Sequence, residues 1–195
     1  FHTARWDYDY TGGDRTGKPL EGLTDKRVGI IGTGATAVQC IPHLAASAGD
    51  FYVFQRTPSS IDIRNNRALT DEDFADLDTD WQREWLINFA TLQAGGFADA
   101  DLVKDGWTDI AIRIRDRIVE RIQANPGAGI EDVWMEAFAE SDDEKMNEIR
   151  ARVDSVINDQ TTAEALKPWY RQLCKRPCFH DEYLQSFNNP NTHLV

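Results

Sequence analysis

Arg27-Val-Gly-Ile-Ile31, then Gly32-Thr-Gly34, then Ala35-Thr-Ala37-Val-Gln39-Cys-Ile-Pro-His-Leu44, then Phe51-Tyr-Val-Phe54: these four pieces follow one another almost without interruption, and their order decides the fold. The first is a short, β-branched apolar run of the kind found in a parallel strand. Gly32-Thr-Gly34 permits an abrupt turn. From Ala35 to Ala48 the residues Ala, Val, Ile and Leu recur at helical spacing, with Gly49 as a C-terminal stop. The fourth piece is a second strand. Strand, turn, helix and strand within roughly 30 residues make one βαβ unit, whose crossover helix implies parallel strands.

The turn itself reads Gly32-x-Gly34-x-x-Ala37, placed after a strand and opening a helix. In that context the first Gly serves the tight turn, the second lets backbone approach a pyrophosphate, and the small third residue lets helix and strand pack closely. Backbone amides of Gly32, Thr33, Gly34, Ala35, Thr36 and Ala37 then face the phosphates at a helix N-terminus. The competing reading is that these small residues only allow close packing. A dinucleotide site for NAD places an acid about 20 residues further on. Here the second strand runs into Gln55-Arg56-Thr57-Pro58, with no acid before Asp62. Arg56 can fork onto a 2′-phosphate with Thr57 as an extra donor, which favours NADP, unless Arg56 is a solvated surface charge. Gln39, one turn into the helix, either reaches the cofactor or faces solvent.

Outward from this unit the chain changes character. Residues 1–22 are turn-rich and read as a linker, 23–69 as the βαβ unit, 70–165 as a largely helical insertion, and 166–195 as a return segment of mixed structure. Thr70 with Asp73, Ser141 with Glu144 and Thr161 with Glu164 have capping-box spacing. Ile110, Ile114, Ile118 and Ile122 recur every fourth residue beside Arg113, Arg117 and Arg121, predicting a helix over 110–122. Trp81, Trp85, Trp107 and Trp134 are expected to pack these helices. A short helix is expected over 181–187 and a final strand over 192–195.

Of the chain's formal charge of −12, residues 70–165 carry 24 acidic against 9 basic groups, a net of −15, leaving 9 acidic and 12 basic groups, a net of +3, elsewhere. That balance argues against nucleic acid and makes the two ends the part suited to a phosphorylated ligand. No stretch approaches the ~20 apolar residues of a membrane span. Cys40, Cys174 and Cys178 are an odd number without C-x-x-C spacing, pointing to a reducing, cytoplasmic setting without disulfides. Cys174, Cys178 and His180 lack zinc-type spacing and are read as structural, so no metal is expected.

Phe1-His2-Thr3-Ala4-Arg5-Trp6-Asp7 resembles the second half of the Baeyer–Villiger monooxygenase fingerprint, with His2, Trp6 and Asp7 on its fixed positions. In that family the fingerprint lies ahead of a second Gly-x-Gly-x-x-Gly/Ala turn, the order found here. Gln55-Arg56-Thr57-Pro58 resembles the family's 2′-phosphate-binding strand end, and Lys175-Arg176-Pro177 its Lys-Arg pair. The resemblance implies that Lys175 helps to hold the NADP phosphate. It also implies that Arg176 is catalytic and reaches the flavin, where a permanently charged guanidinium stabilises the negative charge of oxygen insertion. Without the resemblance, Arg176 is equally readable as a solvated or ion-paired residue. His2 invites a general-base role from its titration range, whereas the resemblance suggests a structural part at a domain junction. Trp6 reads as a packing anchor. Cys174 departs from the small residue usual before the Lys-Arg pair.

The expectation is therefore an α/β, Rossmann-like dinucleotide-binding domain with a helical insertion, a piece of a flavoprotein with two dinucleotide-binding domains. Its parent would use FAD and NADP to oxidise a ketone with molecular oxygen, and a separate FAD domain of the same polypeptide would be its partner. Alone, the piece would neither retain flavin nor turn over. Alternatives are an N- or S-oxygenating flavin monooxygenase, a flavin-free NADP-dependent dehydrogenase, or a non-catalytic module whose acidic helices dock a partner.

Overall fold

The computed structural model describes residues 1–195, which divide into two compact units, one formed by Phe1–Ile63 with Glu148–Val195 and the other by Arg64–Asn147.

The first unit is built on a parallel sheet of β1 (Arg27–Ile31), β2 (Asp50–Phe54) and β5 (Thr192–Leu194), in the order β1-β2-β5. The crossover from β1 to β2 is α2 (Ala35–Ser47), preceded near the N-terminus by the single turn α1 (Tyr8–Thr11). Ile30 pairs in register with Val53, and Val53 with Leu194. Hydrophobic alternation decides which face is covered. Phe51 and Val53 of β2 are wholly buried with Ile30, against Val38, Ile41 and Leu44 of α2. The other face carries Arg27, Gly29 and Ile31, and Ile31 is 90% exposed. The apolar run of β1 is thus covered on one face only.

A second, two-stranded parallel sheet was not anticipated. β3 (Ile61–Asp62) pairs with β4 (Cys178–Phe179), Ile61 opposite Cys178. Two-residue strands have no periodicity to read. Arg152 pins this pairing, its guanidinium donating to the carbonyls of Ile61 at 2.9 Å and His180 at 3.0 Å.

The expected helical boundary of 70–165 differs from the observed unit at 64–147. The reason is packing: Val153, Ile157, Ala163 and Leu166 bury their apolar side chains in the core of the first unit. That places the end of α5 (Ile130–Val156) and all of α6 (Gln160–Leu166) with the sheet. Helices α3 (Trp81–Gln93) and α4 (Gly106–Ala124) and the start of α5 form the second unit. Arg117 bridges Glu140 at 2.9 Å and Glu144 at 2.6 Å, and Arg121 bridges Glu136 at 2.7 Å, lacing α4 to α5. Of the tryptophans there, Trp134 is 43% exposed, and Trp81 stacks edge-on with Trp85 without entering a sealed core.

Capping boxes behave unequally. Thr70 and Asp73 form one, but it opens a single 3₁₀ turn, Asp71–Phe74. Ser141 lies buried inside α5, where no helix begins, and α6 is capped by Asp159, which accepts from the Thr162 amide at 2.7 Å in place of Thr161. The helix expected over 181–187 is a 3₁₀ stretch, Leu184–Asn188. No helix is long and apolar enough to cross a membrane.

Candidate functional site

At the C-terminal end of β1 and β2 a cleft of about 440 Å³ is lined by Gly32, Thr33, Gly34, Ala35, Arg56, Thr57, Lys175 and Arg176, with Ile31, Phe54 and Ser59 completing it. Three motifs distant in sequence therefore share one concavity.

The glycine turn forms because Gly32 adopts φ +94°, a conformation that L side chains rarely take, while its amide donates to the Phe54 carbonyl at 2.8 Å. Gly34 is the N-cap of α2, with extended backbone at φ −74°. It offers no side chain to satisfy the first-turn amides, and that turn contains no acid. A Cβ built on Gly32 or Gly34 would meet nothing within 4 Å. The space over the helix N-terminus is thus open, and the positive end of the helix faces it. Ala37, the third position of the motif, is buried in the core. Thr36 and Ala37 border a smaller recess of about 240 Å³ next to Thr3.

The turn is tied to the strand end beyond β2. Buried Thr33 donates through Oγ1 to the Thr57 carbonyl at 2.9 Å, and the Ser59 hydroxyl donates back to the Thr33 carbonyl. Arg56, Lys175 and Arg176 are all exposed. None of the three is held by a carboxylate, in a chain of net charge −12. Lys175 instead rests its ammonium 4.8 Å from the Tyr170 ring centroid. Burial pushes the Cys178 thiol up, against the opposing pull of Arg176.

The remaining sequence candidates lie elsewhere. Gln39 is exposed, and its amide turns back onto the Ala35 carbonyl at 3.3 Å, so it lines neither recess. His2 and Trp6 border a separate cleft of about 540 Å³ with Arg27 and Val28. Trp6 donates from its indole to Thr11 at 3.1 Å, an anchoring contact. His2 Nδ1 accepts from the Ala4 amide, and Asp7 caps α1 through the Tyr10 amide at 3.0 Å. Cys174 is exposed, Cys178 is buried, and His180 Nδ1 accepts from the Glu182 amide. Sequence reasoning missed Ser59 and Tyr170; only the long-range fold shows what they touch.

No family model matches the chain. Among curated proteins, it is 52% identical over 201 residues to Baeyer-Villiger monooxygenase ATR8 of Stachybotrys chlorohalonatus, covering all of this chain and 31% of that protein. It is 53% identical over 195 residues to neopentalenolactone D synthase of Streptomyces avermitilis, again over the whole chain and 32% of the relative. Among solved structures, the polycyclic ketone monooxygenase of Thermothelomyces thermophila superimposes over the whole chain and 32% of its own, with a TM-score of 0.81 at 39% identity. OTEMO, determined as a complex with FAD and NADP, does so over 36% of its chain with a TM-score of 0.63 at 28% identity. The chain spans about a third of the length of the curated relatives it matches. Along its entire length the chain is homologous to one segment of these proteins.

Proposed function

We propose that this chain is the NADP-binding portion of an FAD-dependent Baeyer–Villiger monooxygenase, whose parent polypeptide inserts one atom of molecular oxygen beside a ketone carbonyl to give an ester or lactone. The observation that carries the reading is the cleft, where an uncapped helix N-terminus and three cations without carboxylate partners converge on open space. That donor set fits a dinucleotide bearing three phosphate groups. The names of the relatives supply the reaction class, and the OTEMO complex shows both cofactors bound in a neighbour.

In this reading the amides around Gly32, Thr33, Gly34 and Ala35, with Thr36 and Ala37 opening α2, cradle the pyrophosphate. Arg56, Thr57 and Lys175 take the 2′-phosphate. Arg176 is the catalytic residue, a fixed positive charge that stabilises developing negative charge at the reacting carbonyl oxygen. NADPH supplies the hydride and FAD the oxygen-activating chemistry when both are bound. Residues 1–22, with the fingerprint His2, Trp6 and Asp7, join this Rossmann-like domain to the FAD domain, and 166–195 lead back to it around the βαβ unit of 23–69 and the helical insertion of 70–165. Three unpaired cysteines fit a cytoplasmic protein.

The test is to purify the full parent polypeptide and follow by mass spectrometry what NADPH and oxygen do to a cyclic ketone and a sulfide. Bound flavin with lactone formation supports the reading. Sulfoxide alone moves the parent to the N- or S-oxygenating flavoenzymes, and a flavin-free protein that reduces the ketone to an alcohol overturns it.

A further inference from the structure

Tyr170 belongs to none of the motifs, yet it touches two of them. Its hydroxyl donates to the Pro58 carbonyl at 3.0 Å and accepts from the Ser60 amide at 2.9 Å, residues 112 and 110 positions away in the chain. The stretch it clamps begins immediately after Arg56-Thr57. Its ring meanwhile carries the Lys175 ammonium at 4.8 Å from the centroid. One side chain thus fixes where the Lys175 charge stands relative to the Arg56 strand end. The glycine turn has a tie of its own in the Gly32 amide donating to the Phe54 carbonyl, while Thr33 and Ser59 link it to the stretch that Tyr170 clamps. Burial keeps the phenol protonated well past neutrality, against the opposing pull of the Ser60 amide, so the hydroxyl retains the proton it donates to Pro58.

We propose that Tyr170 is a positioning residue that gives the cleft its preference for a 2′-phosphorylated dinucleotide over the unphosphorylated one. It does so by holding Lys175 and the Arg56-Thr57 strand end as one cationic pair. A guanidinium and an ammonium act together on one phosphate only when their spacing is held, and the two lie on segments joined here by Tyr170 and the short β3–β4 pairing. The proposal rests on the reading of the cleft as an NADP site.

The experiment measures dissociation constants of the full parent polypeptide for NADPH and NADH in wild type, Tyr170→Phe and Tyr170→Leu. Tyr170→Phe keeps the ring beneath Lys175 and removes the bridge to Pro58 and Ser60; NADPH binding is expected to weaken about threefold to tenfold. Tyr170→Leu removes the cation–π support as well, and roughly 10- to 30-fold is expected. NADH binding should weaken less than NADPH binding in both, since the amides that hold the pyrophosphate keep their tie from Gly32 to Phe54. Equal weakening of NADPH and NADH makes Tyr170 a structural prop and overturns the proposal. A wild-type protein that binds NADH as tightly as NADPH removes the underlying NADP reading itself. Should Tyr170→Leu not fold, the near-isosteric Tyr170→Phe carries the comparison alone.

Discussion

Arg56→Ala separates recognition of the 2′-phosphate from recognition of the dinucleotide as a whole. Arg56 is exposed at the end of β2 and borders the cleft without a carboxylate partner, so its guanidinium is hydrated before any ligand arrives. Its removal orphans no buried group, and folding stability should move by less than about 0.5 kcal/mol. A guanidinium fork on a phosphate is a charge-assisted contact of about 1.5–3 kcal/mol. Exposure to water and salt pulls the value toward the lower part of that range. The expected loss of NADPH affinity is therefore about 10- to 100-fold, nearer the smaller figure at high ionic strength. NADH, which lacks the phosphate, should bind as before. The assay is calorimetric titration of the full parent polypeptide with each cofactor at low and high salt. Weakening of both cofactors by one factor would falsify the assignment of Arg56, since it would mean that the side chain supports the turn in place of the 2′-phosphate.

Gly32 and Gly34 should respond differently to alanine. Gly32→Ala forces an L side chain to φ +94° and is expected to cost about 1–3 kcal/mol in a denaturant titration, although its Cβ meets no neighbour. Gly34→Ala, at φ −74°, should change stability by less than about 1 kcal/mol but weaken NADPH and NADH alike, because the new methyl occupies the phosphate approach; intact binding would place the pyrophosphate elsewhere. In the second unit, burial pushes the Asp109 carboxyl up, but the Lys145 ammonium at 2.7 Å and Arg113 at 3.1 Å outweigh it and hold it below the usual range. A depressed carboxyl stabilises the fold above its unfolded pKa of about 3.9, and that stabilisation disappears as pH falls through the lower folded value. Lys145→Met should therefore shift acid loss of helical circular dichroism to higher pH, and an unchanged acid midpoint would show that the pair contributes nothing.

The βαβ unit and its glycine turn were legible in the sequence because everything that makes them is local. Alternation buries Phe51 and Val53, helical spacing buries Val38, Ile41 and Leu44, and the positive φ of Gly32 is a property of one residue. Arg56 and the Lys175-Arg176 pair were legible as cations, and the cleft they share was not. Helix starts were less so: Asp159 caps α6 where Thr161 was expected, and Ser141 sits inside α5, because capping-box spacing recurs by chance wherever Ser, Thr and acids are frequent. The helices run on to Leu166 while the second compact unit ends at Asn147, because Val153, Ile157, Ala163 and Leu166 pack into the first unit and only packing chooses between cores.

What the tertiary structure alone decided is the meeting of the charges. The sequence by itself determined a strand, a phosphate-sized turn, a helix and a set of cations, since those follow from steric and hydrogen-bond rules that act over a few residues. That Lys175 and Arg176 line the same cleft as Arg56 depends on β4 finding β3 and on Tyr170 reaching Pro58 and Ser60, contacts that exist only after the chain has closed a loop of more than a hundred residues. No local pattern encodes such a contact, because its energy is realised only when the rest of the core holds both partners in place.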